Sequence, residues 1–305
     1  MASSAAATAA APWRAQFLEH VGKMDQQSFT FTSIHPIDNA SVPRARTCIF
    51  RGMWASLPAN DKNPAPRNPG AYESDCIALT TDARMDKVPE LFAAGAAAGA
   101  TGRGISSSGG GAAVEAMFWA TPSQAQWRVR GRAWVLSPLD VEDGNSAGAK
   151  AAREALAARM RRTSSSSSDD DDHDGGGARG VKGGDRAGVD AEGWSWEREV
   201  VGHFGNLSPG MRGSFKNPPP GTPRANAPGP GEGLGQKVGD ELLEDEVARR
   251  NFRVVVIVPN EVDVCDLSDP ADQRRWLYTY VGPAAKATKP GGEVIAGWEK
   301  VEVWP

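Results

Sequence analysis

The sequence predicts a mainly β, α+β chain: about six antiparallel strands curled into a barrel, with flanking helices and two long insertions. Two observations carry this reading. The run 124–136 (QAQWRVRGRAWVL) sets Gln126, Arg128, Arg130 and Arg132 against Trp127, Val129, Gly131 and Ala133. That period of two belongs to a strand with one face in a core. The strand-like runs also follow one another without regular helical crossovers, which favours antiparallel pairing over a doubly wound sheet. The insertions come from composition: 35 glycines and 22 prolines in 305 residues dilute the apolar pattern in particular places.

In chain order, residues 1–11 (MASSAAATAAA) read as a disordered tail, with an organellar transit peptide as the alternative. Residues 12–305 then form one domain. Pro12 suits the first turn of a helix, and Trp13, Phe17, Val21 and Met24 share one face at helical spacing. Residues 28–35 (SFTFTSIH) alternate as a strand. Residues 43–54 (PRARTCIFRGMW) mix strand-forming types with arginines; alternation places Arg46 and Cys48 on one face and Thr47, Ile49 and Arg51 on the other. A half-buried arginine needs a partner, and a guanidinium grips a phosphate with two hydrogen bonds at once. This strand is therefore either a solvated surface strand or part of an anion site.

Further strands are expected over 75–81, 113–120, 252–264 and 298–304, and a short helix from about Lys87 or Pro89. Residues 93–111 read as a loop of small residues, 194–204 as an amphipathic helix and 270–280 as a helix. Residues 145–193 hold runs of Ser, Asp and Gly and are expected to be disordered, although 149–162 is a helix-forming stretch of Ala, Arg and Leu. Residues 222–239 read as a second flexible insertion.

The formal net charge of −4 argues against a general nucleic-acid binder. Cys48, Cys76 and Cys265 have no metal-like spacing and read as reduced thiols of a cytoplasmic protein; no metal motif is found. No apolar run of about 18 residues marks a membrane span.

Three polar clusters fall at strand ends. The first is Arg46 with Arg51. The second is Thr80, Thr81, Arg84 and Lys87, where two hydroxyls end a strand and two cations open a helix, a phosphate cradle by chemistry. The third is Gln126, whose amide offers a donor and an acceptor to a heterocycle edge.

Taken in order, these clusters resemble the pyridoxamine 5′-phosphate oxidase-like family of FMN-binding split barrels. The family strand P-x-x-R-x-x-x-x-K is matched by 43–51, its Thr-containing turn with a basic residue by 79–87, its Trp strand by Phe118 and Trp119, and its Gln by Gln126 with Gly131 five residues on. The likeness continues through Leu207, Ser208, Arg212 and Phe215 to the closing Trp-x-x-x-x-Val-x-Pro, as in the family's uncharacterised flavin-binding branch. The resemblance implies a six-stranded antiparallel split barrel and FMN as cofactor. It implies that Arg46, Thr47, Cys48, Ile49 and Arg51 line the flavin, that Arg84 and Lys87 hold the phosphate beside Thr80 and Thr81, and that Gln126 faces the ring. It also implies a homodimer with FMN at the interface.

The chain departs from the pattern at several places. Arg51 stands where the family has Lys, and Met85 and Asp86 replace a Ser-Arg pair, so that Arg84 substitutes for the lost arginine. Cys265 stands where a Trp covers the flavin, and the substrate-phosphate motif is not found around Trp196 to Ser208. The resulting expectation is a flavin-dependent oxidoreductase of undetermined substrate; the alternative is a split barrel that holds FMN, or another phosphate ligand, without turnover.

Overall fold

A computed structural model of the chain describes residues 9–37, 40–92, 107–163 and 193–305. Helix α1 (Arg14–Gly22) is followed by β1 (Ser28–Ile37) and β2 (Ala40–Ile49), then by β3 (Tyr72–Ser74), β4 (Ile77–Asp82) and the short α2 (Lys87–Phe92). Strands β5 (Gly109–Ala120) and β6 (Ala125–Leu136) form the central hairpin. Helix α3 (Ala147–Ala157), β7 (Met160–Arg162), α4 (Trp196–Gly205), α5 (Pro209–Gly213) and α6 (Glu246–Asn251) precede the long β8 (Phe252–Asp266). The chain finishes with β9 (Arg274–Tyr280), β10 (Glu293–Ile295) and β11 (Trp298–Val303).

The main sheet runs β10-β11-β9-β8-β6-β5-β1-β2, with β4 on the other side of β8, and every pairing in it is antiparallel. The chain leaving β2 closes the ring. Arg51 N–H donates to the Ala78 carbonyl (2.8 Å), Ala78 N–H to Gly52 (3.0 Å) and Trp54 N–H to Cys76 (2.8 Å). Gly52 permits the turn: its φ is +101°, and a Cβ there would lie 2.5 Å from Pro58 Cδ. Six strands thus enclose the barrel in the order β1-β2-β4-β8-β6-β5. At the β6–β8 bulge, a Cβ on Gly131 would meet the Val258 carbonyl oxygen at 2.1 Å, so only glycine lets the strands close there.

Alternation sorts the strands into two cores. Phe29, Phe31, Cys48, Leu79, Phe118, Trp127, Val129 and Ile257 fill the barrel, and Phe17 of α1 plugs it with edge-on contacts to Phe50, Phe118 and Trp127. The opposite face of β4, β8 and the end of β6 presents Ala78, Val254, Val256 and Leu136 to a second core under α3, α4 and α6. Trp54, Trp194, Trp196 and Phe204 belong to it.

His203 lies parallel to the Trp54 ring at 6.0 Å, and its Nε2 is buried with no hydrogen-bond partner. Burial, with the Arg51 charge nearby, depresses its pKa to about 3 from an ordinary 6.5. The folded state therefore refuses a proton that the unfolded chain accepts. The stability this contributes is complete above pH 6.5 and is lost as pH falls toward 3. Acid titration of unfolding free energy should show this loss, on the order of a few kcal/mol. The His203→Phe variant should lose that part of the slope; an unchanged slope would overturn the assignment.

Three expectations are corrected by the structure. Residues 270–280 are not a helix: β9 covers Arg274–Tyr280 between β8 and β11. Helix there would leave the facing edges of both neighbours unpaired and break the Arg274–Glu302 and Arg275–Asp263 ion pairs. The first part of the stretch expected to be disordered, 145–193, forms a helix and a strand. Helix α3 buries Ala149, Ala152 and Leu156, and on β7 Arg161 bonds Glu73 (2.8 Å) and Asp75 (2.7 Å), pinning β7 to β3. The rest of that insertion lies outside the described residues, as do 1–8 of the expected tail and 93–106 of the expected loop. Ala11 is buried, and its N–H bonds the Asp75 carboxylate. Residues 222–239 hold no helix or strand, but they are tied down. Gly233 N–H bonds the Lys216 carbonyl, Val238 N–H bonds that of Pro209, and Val238 is buried.

Candidate functional site

The predicted residues other than Gln126 lie around the seam where the end of β2 joins β4. Adjacent positions on a strand face opposite ways, so the seam has an inner and an outer side.

On the inner side, Lys87 opens α2 with its ammonium buried. Nζ donates to Thr81 Oγ1 (3.0 Å) and lies 2.9 Å from Met85 Sδ, a poor acceptor. Among the described residues, no carboxylate approaches Lys87 within 4 Å. Burial holds its pKa below the ordinary lysine value, the Cys48 thiol partly opposing this, and burial pushes the thiol of Cys48 up.

On the outer side, Arg51 Nε reaches Thr80 Oγ1 at 3.4 Å, again with no carboxylate partner among the described residues. Burial lowers its pKa too. Thr80 and Thr81 thus diverge, each hydroxyl serving one cation. Thr47 and Ile49 are exposed on this side, while Cys48 between them is buried.

Gln126 joins the same outer surface further round the barrel. Its cross-strand neighbours are Trp119 on β5 and Cys265 on β8. From Gln126 to Ile49 is three strand spacings, about 15 Å. Trp119 (39% exposed), Ile49 (36%) and Ile34 (46%) make this face unusually apolar for open surface.

Two predicted cations are already committed within the chain. Arg84 donates from Nε and Nη2 to both Asp82 oxygens (3.0 and 2.8 Å), from Nη1 to Glu232 (2.9 Å), and from Nη2 to the carbonyls of Phe215 and Asn217. Its guanidinium holds the 215–217 and 232 segments against the barrel, with all three nitrogens engaged. Replacing Arg84 by Ala should cost about 3 kcal/mol or more, by stripping a network of buried partners. Denaturant unfolding measures this, and cofactor affinity should move far less; the reverse pattern would restore Arg84 to the cradle.

Arg46 is the other. Its Nη2 bonds Glu90 Oε2 (2.7 Å) and its Nη1 bonds Ser33 Oγ (2.5 Å). Glu90 is only 3% exposed and also accepts from Ser33 Oγ, while its Oε1 meets His35 Nδ1 at 2.9 Å. Sequence reasoning missed Glu90, Ser33 and His35. A signal existed: Glu90 stands three residues after Lys87 on one helix face, and Ser33 and His35 share a face of β1.

A β-barrel with two carboxylate-free cations at one seam and an exposed apolar face beside them is a barrel equipped for an anionic, partly aromatic ligand. Residues 10–137 match the family model for pyridoxamine 5′-phosphate oxidase, FMN-binding domain. This part of the chain is therefore similar to the FMN-binding domain of that family, and FMN is the cofactor that goes with such a domain. The fold is similar to that of a pyridoxamine 5′-phosphate oxidase-related, FMN-binding protein from Nostoc punctiforme PCC 73102. That likeness has a TM-score of 0.50 and 14% identity, covering 98% of this chain and 100% of that one. A more distant likeness is to PhzG from Burkholderia lata 383, with a TM-score of 0.39 and 10% identity over 95% of this chain and 88% of that one. No curated protein sequence matches the chain. Among the described residues, no helix is long and apolar enough to cross a membrane.

The chemistry of the donor set fits FMN. A phosphate is the anion that two cations without carboxylates leave room for, and hydroxyls beside each cation add donors. Bound FMN supplies hydride and single-electron transfer. The chain's own contribution is charge and orientation: Lys87 and Arg51 offer positive charge, Thr80 and Thr81 offer hydroxyl donors, and Gln126 offers an amide.

Proposed function

We propose that this chain is an FMN-dependent oxidoreductase that works as a homodimer, with FMN between the outer face of one barrel and a second copy. The observation that carries the reading is the contrast among the buried cations. Arg84, Arg161 and Arg46 are ion-paired, whereas Lys87 and Arg51 reach only hydroxyls and a thioether. An unpaired buried charge is costly unless a ligand completes it. In this reading the phosphate sits at the edge of β4 beyond Ala78, with Arg51 and Thr80 approaching from the outer side and Lys87 and Thr81 from the inner side. The flavin lies along Arg46 to Ile49, and Gln126 addresses a ring edge. The exposed Trp119, Ile34 and Ile49 support the dimer, since such a patch marks an interaction surface.

Holding FMN without turnover is favoured by one feature: Arg46 and Arg84, two of the cations nearest the cradle, are spent within the protein. The visible spectrum of the purified protein, mass analysis of the released chromophore, and light scattering at two protein concentrations test these statements separately. A flavin double band with released FMN and a dimer mass is the expected outcome. A colourless protein that takes up no added FMN overturns the reading. Stoichiometric FMN that no candidate donor reduces leaves a binding module.

A further inference from the structure

Met85 touches both inner-side members of the cradle. It sits on the turn from β4 into α2, where its N–H donates to the Asp82 carbonyl (3.1 Å) and its carbonyl accepts from Val88 N–H (3.0 Å). Its Sδ lies 2.9 Å from Lys87 Nζ and 3.7 Å from Thr81 Oγ1. Lys87 and Thr81 are buried, whereas Met85 is 37% exposed. The buried ammonium thus leans on a residue that solvent reaches.

A thioether is a weak acceptor, so it leaves the Lys87 charge poorly matched; among the described residues Nζ otherwise finds only Thr81 Oγ1. One oxygen atom on this sulfur changes that. A sulfoxide is polar where the thioether was apolar. Its oxygen, bonded to Sδ, stands within reach of Lys87 Nζ and Thr81 Oγ1, the two groups that approach the cofactor phosphate from the inner side. Met53 and Met160 are buried. Met211 is exposed, but its sulfur meets no hydrogen-bond donor among the described residues.

We propose that Met85 is an oxidation site that governs the cradle: a hydroperoxide converts its thioether to the sulfoxide, whose oxygen takes Lys87 and Thr81 away from the cofactor phosphate. The ligand in this proposal rests on the flavin reading above; the chemistry at Met85 does not. With hydrogen peroxide the step balances. The sulfur gives up two electrons and forms the S–O bond, the peroxide O–O bond breaks, and the second oxygen leaves as water with both peroxide protons. Methionine sulfoxide reductase reverses the change.

Full-length protein without cofactor is titrated with FMN, then treated with hydrogen peroxide, mapped by peptide mass, melted, and titrated again. Met85 should be oxidised as readily as Met211 and well before Met53 and Met160. The oxidised chain without cofactor should melt on the order of 2 °C higher, because a buried charge gains an acceptor. Its FMN affinity should fall about tenfold, the loss expected of one charged hydrogen bond, and the reductase should restore it. Met85→Leu should show neither response to peroxide, which separates Met85 from Met211 and from the half-buried Cys265. Met85→Gln, whose amide oxygen stands in for the sulfoxide, should bind FMN weakly without peroxide. Met85 left intact while Met211 is converted overturns the proposal. So does a lowered melting temperature, or an FMN affinity unchanged by complete oxidation of Met85. Failure of the untreated protein to bind FMN is seen before any oxidation and overturns the flavin reading; the mapping and melting results still decide whether Met85 oxidation engages Lys87.

Discussion

Lys87→Met should weaken FMN binding by about 1.5–3 kcal/mol, roughly 10- to 150-fold, the loss expected of one charged hydrogen bond to a phosphate. The same variant should leave the cofactor-free protein no less stable, because it exchanges an ammonium held among Thr81, Met85 and the Cys48 side of the barrel for an apolar side chain of similar length. The sign follows from the depressed pKa. At neutral pH the folded state carries a charge that it accommodates less well than the unfolded chain does; this cost starts to fall as pH passes the lowered folded value and is gone above the ordinary 10.5. Fluorescence titration with FMN and thermal unfolding with and without cofactor read the two effects separately. Wild-type affinity in Lys87→Met would sink the phosphate assignment. A large loss of apo stability would show that the ammonium is structural.

Glu90→Ala should be the most damaging single change in this region, at about 3–5 kcal/mol, since removing one partner leaves the others buried and unpaired. Glu90 is 3% exposed and gathers Arg46, Ser33 and His35 onto one carboxylate. Ala would strand a half-buried guanidinium on β2. Glu90→Gln keeps the volume and one acceptor oxygen and should cost less. Urea denaturation of the two variants measures both. Near-equal costs would mean that packing, not charge, is what Glu90 contributes. Because Arg46 is held by Glu90, both variants should also disturb the strand that carries Thr47 to Ile49, and with it cofactor affinity.

The central hairpin was plain in the sequence because β5 and β6 alternate cleanly, and each position's face follows from its parity. Arg46, Thr47, Cys48 and Ile49 were placed on their faces for the same reason. The ordered set of basic, hydroxyl and amide residues likewise pointed to a flavin barrel. Residues 270–280 misled because Arg, Trp and Leu at that spacing suit a helix locally; only the unpaired edges of β8 and β11 make a strand the better answer. Helix α3 was legible as a helix-forming stretch of Ala, Arg and Leu, but not as a packed element, because Ala and Leu supply little apolar area until Trp196 and the second core are beside them.

The candidate site divides along the same line. Residue types and their order are local properties, so the candidate set of four cations and two threonines was determined by the sequence alone. Which cations remain available is a question of three-dimensional neighbours. Asp82, Glu232 and two backbone carbonyls claim Arg84, and Glu90 claims Arg46, from up to 148 positions away in sequence. Thr80 and Thr81 look like one pair in the chain, yet the strand turns them to opposite sides. The period of the sequence determined the barrel and its two faces, and long-range ion pairing, which no local pattern encodes, decided that Arg46 and Arg84 meet carboxylates while Lys87 and Arg51, among the described residues, meet none.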